Sequence, residues 1–328
     1  MQNSIIGHKQ IIEQLHHAMQ SNRVAGAYLF VGPANVGKET VALYFTKSIN
    51  CVESEDGACG QCLSCRKTDN GNHPDVQIIR PSGARLKIDQ IRELQKRIVY
   101  RALESKRKVY ILTEVERMNL EAANCLLKTL EEPPAASILI LLTTNLEALL
   151  LTIRSRCQIV QLHPLPVREL ATHLMAQFNL EETQAFSVAN LSGGAVGKAL
   201  TLLEGRSHAE HGNEPSFEEE IPEILTATDR LAVFRIAEQF SQNPEGLDGL
   251  VTWYRDLLLL HQDAPSELLT HIYHADTLKQ LVPRYSRLHL QSAIKTIFEA
   301  KNLLQRNVNA TLALEVMTLK LLGNQNTQ

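Results

Sequence analysis

The sequence lacks any long apolar run. Stretches such as Ile138 to Leu142 stop after a few residues, here at Thr143 and Thr144, so no membrane-spanning helix is expected. The first ten residues, MQNSIIGHKQ, carry no basic segment followed by an apolar one, so no leader peptide is expected and a cytoplasmic location is. A dominant charge is also missing. The 33 Lys and Arg residues face 36 Asp and Glu, and the net charge of -3 excludes a surface coated in basic side chains while leaving room for a local patch. Internal repeats and low-complexity tracts are absent as well, which sets solenoids and disordered arrays aside. What remains is an ordinary globular composition, 44% hydrophobic and 21% charged over 328 residues, enough for two or three domains.

Residues 1–161 read as alternating strands and helices. Ala27 to Val31 is a short apolar run closed by Gly32-Pro33, which predicts a buried strand, and a helical pattern follows from Lys38 to Asn50. Val76 to Ile79, Lys108 to Thr113 and Ser137 to Thr143 are further strand candidates. Ile88, Ile91, Leu94 and Ile98 recur at helical spacing, and a helix over Asn119 to Glu132 must stop at Pro133-Pro134. Such alternation predicts a mostly parallel sheet covered by helices. Residues 162–205 read as a small helical unit broken at Leu191-Ser192-Gly193-Gly194. Residues 206–220, rich in Glu, His, Pro and Ser, read as a linker, and 221–328 as all-helical.

Gly32-Pro33-Ala34-Asn35-Val36-Gly37-Lys38-Glu39 lies between a predicted strand and a predicted helix. This is the setting of G-x-x-x-x-G-K-[ST], whose backbone amides cradle phosphates, whose lysine reaches the terminal ones and whose hydroxyl binds Mg²⁺. The hydroxyl position holds Glu39, and Thr40 comes one residue late. The strand that should end in Asp-Glu ends in Thr113-Glu114, so the metal-binding aspartate is missing too. Two departures at one ion make ATP and Mg²⁺ doubtful ligands and hydrolysis by this chain unexpected.

Cys51, Cys59, Cys62 and Cys65 have the spacing C-x7-C-x2-C-x2-C, and the module they define spans about 51–72. Four thiolates within fifteen residues predict structural zinc, with no open position for catalysis. Cys125 falls in a predicted helix and is expected in the core. His73, beside Pro74, is not needed as a ligand. Residues 80–108 are locally basic, a run that either touches phosphates or forms a solvated helix face.

Taken in order, Ile6-Gly7-His8, the phosphate-loop frame, the four-cysteine insert, Asn72-His73-Pro74-Asp75, Lys87-Ile88-Asp89-Gln90-Ile91-Arg92, the run Ala122 to Pro133 and Ser155-Arg156-Cys157 resemble the bacterial clamp-loader family, and within it the delta-prime branch. The resemblance implies an AAA+ P-loop domain with a zinc-binding insert, a small helical lid and an all-α collar. It implies assembly with gamma/tau and delta subunits into a heteropentamer that loads the sliding clamp on primer-template DNA. Ser155-Arg156-Cys157 matches the family's SRC motif, so Arg156 would be an arginine finger given in trans to a neighbour's ATP site; by itself it reads as a surface arginine. Asn145 falls in the sensor-1 segment, or else caps a strand end. Lys198 stands at the sensor-2 position, or else is a solvated helix lysine. The competing reading is an ATP-hydrolysing gamma/tau-like motor. Glu39 and Thr113 speak against it, because a motor needs Ser or Thr and Asp at those positions; the zinc insert is neutral between the two.

Overall fold

The computed structural model describes residues 5–134, 136–209, 221–222, 224–225, 232–244, 246–265, 268–271, 274–305 and 309–323. They divide into two compact units, one of residues 1–179 and 192–200, the other of 180–191 and 201–328.

The first unit is a five-stranded parallel sheet in the order β2-β3-β4-β1-β5. The strands are β1 (Ala27–Val31), β2 (Val76–Ile79), β3 (Lys108–Leu112), β4 (Ser137–Thr143) and β5 (Gln158–Gln161). β1, β3 and β4 are buried along their whole length, as continuous apolar runs in a sheet covered on both faces require. Alternate side chains feed two cores. Tyr28, Phe30, Val109, Ile111, Ile138 and Ile140 pack with Leu15 of α1 (Lys9–Gln20) and with Val41, Ala42 and Phe45 of α2 (Lys38–Asn50). Leu29, Tyr110, Leu112, Leu139 and Leu141 pack on the other face with α4 (Ile88–Ile98) and α5 (Leu120–Glu131). Between α2 and β2 lies α3 (Leu63–Asp69).

The four expected strands are present. The fifth, β5, was not expected: it reads Gln-Ile-Val-Gln at the sheet edge, and only Val160 is buried, so it has no apolar run to announce it. α5 starts at an Asn119 cap, whose side-chain oxygen accepts the Ala122 amide at 2.9 Å, and ends ahead of Pro133. The unit is completed by α6 (Leu151–Arg154), α7 (Val167–Phe178) and the first turn of α9 (Val196–Ala209).

The second unit contains α8 (Glu182–Leu191), the rest of α9, and α10 (Ala232–Gln242), α11 (Gly246–Leu260), α12 (Ala275–Leu281), α13 (Arg287–Gln305) and α14 (Ala310–Gly323). Its described residues contain no strand. The segment expected to be a lid is thus shared between the two units. α9 also runs on to Ala209, past Gly205–Arg206 where a linker was expected, because neither residue stops a helix by itself; residues 210–220 of that linker lie outside the described residues. Among the described residues no helix is long and apolar enough to cross a membrane.

Candidate nucleotide site, cysteine cluster and surface arginine

The parallel strands deliver their C-terminal ends to one edge of the sheet, and a cavity of about 900 Å³ opens there. Gly37, Lys38, Glu39 and Thr40 line it from the β1–α2 turn, Thr113 and Glu114 from the end of β3, and Thr143 and Thr144 from the end of β4. The turn needs its glycines. Gly37 caps α2 with φ +102°, in the left-handed region, and a Cβ on Gly32 would meet the Leu162 carbonyl oxygen at 2.5 Å. α9 starts against the same turn, the Gly197 amide donating to the Asn35 carbonyl at 2.8 Å.

Most of the charged groups inside are paired within the chain, though Glu116 Oε2 and Thr113 Oγ1 are buried without a hydrogen-bond partner. The Lys38 ammonium donates to the carbonyls of Gly32 at 2.7 Å and Pro33 at 2.6 Å, and burial holds its pKa below that of a free lysine. Glu39 takes two parallel hydrogen bonds from Arg80, at 2.6 and 2.8 Å, the bidentate geometry of a guanidinium on a carboxylate. Glu114 pairs with Arg117 at 2.8 Å. Glu116 accepts the Thr144 amide at 3.1 Å and its hydroxyl at 2.5 Å. Burial opposes its ionisation, but these bonds outweigh it and hold its pKa below the usual carboxylate range. Lys38, Arg80 and Arg117 therefore face Glu39, Glu114 and Glu116, and the cavity has no excess of cationic groups with which to draw in a polyphosphate. The two positions that the phosphate-loop motif assigns to Mg²⁺ are altered as well. Both oxygens of Glu39 are taken by Arg80, and Thr113 offers no carboxylate.

Three expected site residues do not line the cavity. Gly32 lies behind it in the turn. Asn145 faces its own chain, where Oδ1 accepts the Glu147 and Ala148 amides at 3.0 and 3.2 Å and so caps a short 3₁₀ turn. Lys198 is half-buried on α9, while its neighbours Val196, Gly197 and Leu200 reach the cavity. Conversely, Arg80, Glu116, Arg117 and His8 line it without having been singled out as site residues. Arg80 directly follows β2, and a residue just past the C-terminal end of a parallel strand is placed to enter such a site; that position was its available signal. Three arginines of the basic run are in ion pairs: Arg80 with Glu39, Arg92 with Asp89 and Arg97 with Glu93.

In the insert, Cys51 follows α2, Cys62 caps α3 and Cys65 lies in its first turn. The sulfurs of Cys51, Cys59, Cys62 and Cys65 all lie within 4.8 Å of one another, and none is in a disulfide. Four thiolates about a tetrahedral zinc stand about 3.8 Å apart, and Cys51 and Cys62 are 4.0 Å apart. Burial works against the Cys62 thiolate, but the Val52 and Cys65 amides outweigh it and hold its pKa at about 7. The donor set fits a structural zinc ion. His73 is turned away from it, its ring bonded to Ser64 Oγ at 3.3 Å and to the Asp75 amide at 3.1 Å. Cys125 is half-buried and donates to Gln95 at 3.3 Å.

Arg156 follows α6 and does not line its own chain's cavity. Its guanidinium pairs with Glu131 at 2.7 Å and donates to the Thr152 carbonyl at 3.0 Å. Burial pushes the thiol of the neighbouring Cys157 up to about 12.

Residues 7–166 match the family described as DNA polymerase III, delta subunit, and residues 217–322 the family described as DNA polymerase III, delta subunit, C terminal. The chain is 31% identical to DNA polymerase III subunit delta' of Bacillus subtilis over 319 residues, 95% of each chain. It is 34% identical to subunit tau/gamma of Haemophilus influenzae over 206 residues, 61% of this chain but 30% of that one. A solved gamma subunit-related protein from Thermotoga maritima covers 96% of this chain and 99% of its own, at 19% identity and a TM-score of 0.48. The class is that of DNA polymerase III clamp-loader subunits. Within it, the chain belongs to the delta-prime family.

Proposed function

We propose that this chain is the non-motor member of a cytoplasmic clamp loader. It assembles with gamma/tau and delta subunits into a heteropentamer, helps to place the sliding clamp on primer-template DNA, and so serves the DNA polymerase III holoenzyme. Its own nucleotide site is degenerate. Its contribution to ATP chemistry is Arg156, given in trans to an adjacent motor subunit, where a guanidinium neutralises charge developing on the transferring phosphoryl group. Cys51, Cys59, Cys62 and Cys65 hold a structural zinc that orders the insert. Residues 162–205 act as the lid and 221–328 as the collar.

The observation that carries the non-motor reading is the Glu39–Arg80 pair, which stands where a motor needs a hydroxyl on Mg²⁺. The similarity to a tau/gamma subunit keeps the motor reading as the rival to be tested. The test uses the reconstituted complex with every motor site except the one beside this chain disabled. Arg156→Ala is expected to lower turnover there by about a thousandfold with assembly intact, and Lys38→Ala to leave it unchanged. The reverse pattern would establish this chain as a motor.

A further inference from the structure

Arg156 is held in place by its own subunit. Nη2 lies 2.7 Å from Glu131 Oε1 and Nη1 donates to the Thr152 carbonyl at 3.0 Å, so both outer nitrogens of the guanidinium are engaged within the chain. Those nitrogens are the pair with which a guanidinium grips a phosphate. Glu131 is the last residue of α5, a poor place for a carboxylate, because the helix dipole puts partial negative charge at that end. α5 therefore gains nothing from the charge on Glu131. The ion pair with Arg156 is the one electrostatic interaction that favours a carboxylate there among the described contacts.

We propose that Glu131 is a positioning residue that holds Arg156 folded back on its own subunit until a neighbour's phosphate displaces it. The inference rests on the reading of Arg156 as a finger given in trans. In the unassembled chain the carboxylate keeps the guanidinium ordered and neutralised. On assembly, a more highly charged phosphate competes for the same nitrogens, and the finger engages only where nucleotide fills the neighbouring site. Glu131 thus sets a threshold on turnover and leaves its maximum alone.

Two measurements test this. In the isolated chain, side-chain NMR reads rotation of the Arg156 guanidinium, assigned by its loss in Arg156→Ala. Rotation is expected to be slower in the wild type than in Glu131→Gln; equal rates would overturn the latch whatever the role of Arg156. In the reconstituted complex, Glu131→Gln is expected to raise turnover in the absence of DNA and clamp by about two- to fivefold, the worth of a surface ion pair, with the stimulated maximum unchanged. Glu131→Asp, which retains the charge on a shorter stem, should shift it in the same direction by less. A lower or unchanged basal rate in Glu131→Gln, where Arg156→Ala abolishes turnover, would overturn the latch and leave the finger standing. Full turnover in Arg156→Ala would overturn both. A thermal midpoint of Glu131→Gln no lower than the wild type's shows that the change acts on the finger and not on α5.

Discussion

Asp75 is buried, and its carboxylate accepts the amides of Leu103, Glu104 and Ser105 and the Ser105 hydroxyl, all at 2.8 to 2.9 Å. Burial would raise its pKa, but these bonds outweigh it and hold the group below the usual carboxylate range. A depressed folded-state pKa gives stability that is complete above the unfolded-state value and is lost as pH falls through the folded one. Asp75→Asn leaves one acceptor oxygen and turns an NH₂ group towards amide donors, which should cost about 2 kcal/mol at neutral pH. In acid the deficit should close, because the wild-type carboxyl is then protonated as well. Denaturant unfolding of the two proteins at neutral and low pH checks both statements. Residue type was legible at this scale: Asp75 and Glu39 stood in recognisable motifs. Their partners were not. Arg80 is 41 residues from Glu39, and Ser105 is 30 from Asp75, and only the folded sheet brings either pair together.

The cysteine insert is an element with almost no core of its own. Its buried cluster is Cys51, Cys62 and Cys65, with only Ala58 and Cys59 packed against it. So small a set of apolar contacts does little to offset the entropy of ordering the loop, and the zinc proposed above would supply the difference. Removal of zinc by a chelator is expected to speed amide exchange across residues 51–69 while β1, β3 and β4 keep their protection, and elemental analysis should find zinc in the untreated protein. Equal exchange with and without chelator would refute a structural metal. The elements were legible to the degree that they were apolar. β1 and β4 could be read directly because their runs are continuous. β5 could not, because its pairing comes from β1 alone and three of its four side chains are exposed. Lys198 shows the same limit on a helix: its motif placed it on α9, but which side chains of that turn reach the cavity is decided by packing, and its neighbours do so instead.

At the scale of the whole molecule, one helix of the second unit carries an exposed apolar face that suits the collar role proposed above. α14 buries Leu314, Met317 and Leu321 in the core of that unit, yet Leu312, Val316 and Leu319 recur on its opposite face at a spacing of four and three, each 44% or more exposed. A helix apolar on both sides is covered on both sides when it functions. Replacing Leu312, Val316 and Leu319 together by serine should weaken assembly with the partner subunits by at least about a hundredfold, at roughly 1 kcal/mol or more for each side chain. The isolated chain should unfold at an unchanged temperature. Sedimentation of the mixed subunits and thermal unfolding of the chain separate the two effects, and full assembly by the triple variant would place the interface elsewhere.

The Glu39–Arg80 pair also bears on how such a chain changes over generations. A lone Glu39→Thr would supply a hydroxyl at that position but remove the carboxylate that Arg80 grips with two hydrogen bonds, in a cavity that Lys38 and Arg117 also line. A lone change at Arg80 would leave a carboxylate facing the phosphates. Neither single step is an improvement, and Thr113 would still have to change. On the function proposed above, the pair would hold the chain in its role: a change at either residue alone leaves the other charged and unmatched at the cavity, so a different chemistry there is reached only when several positions change together.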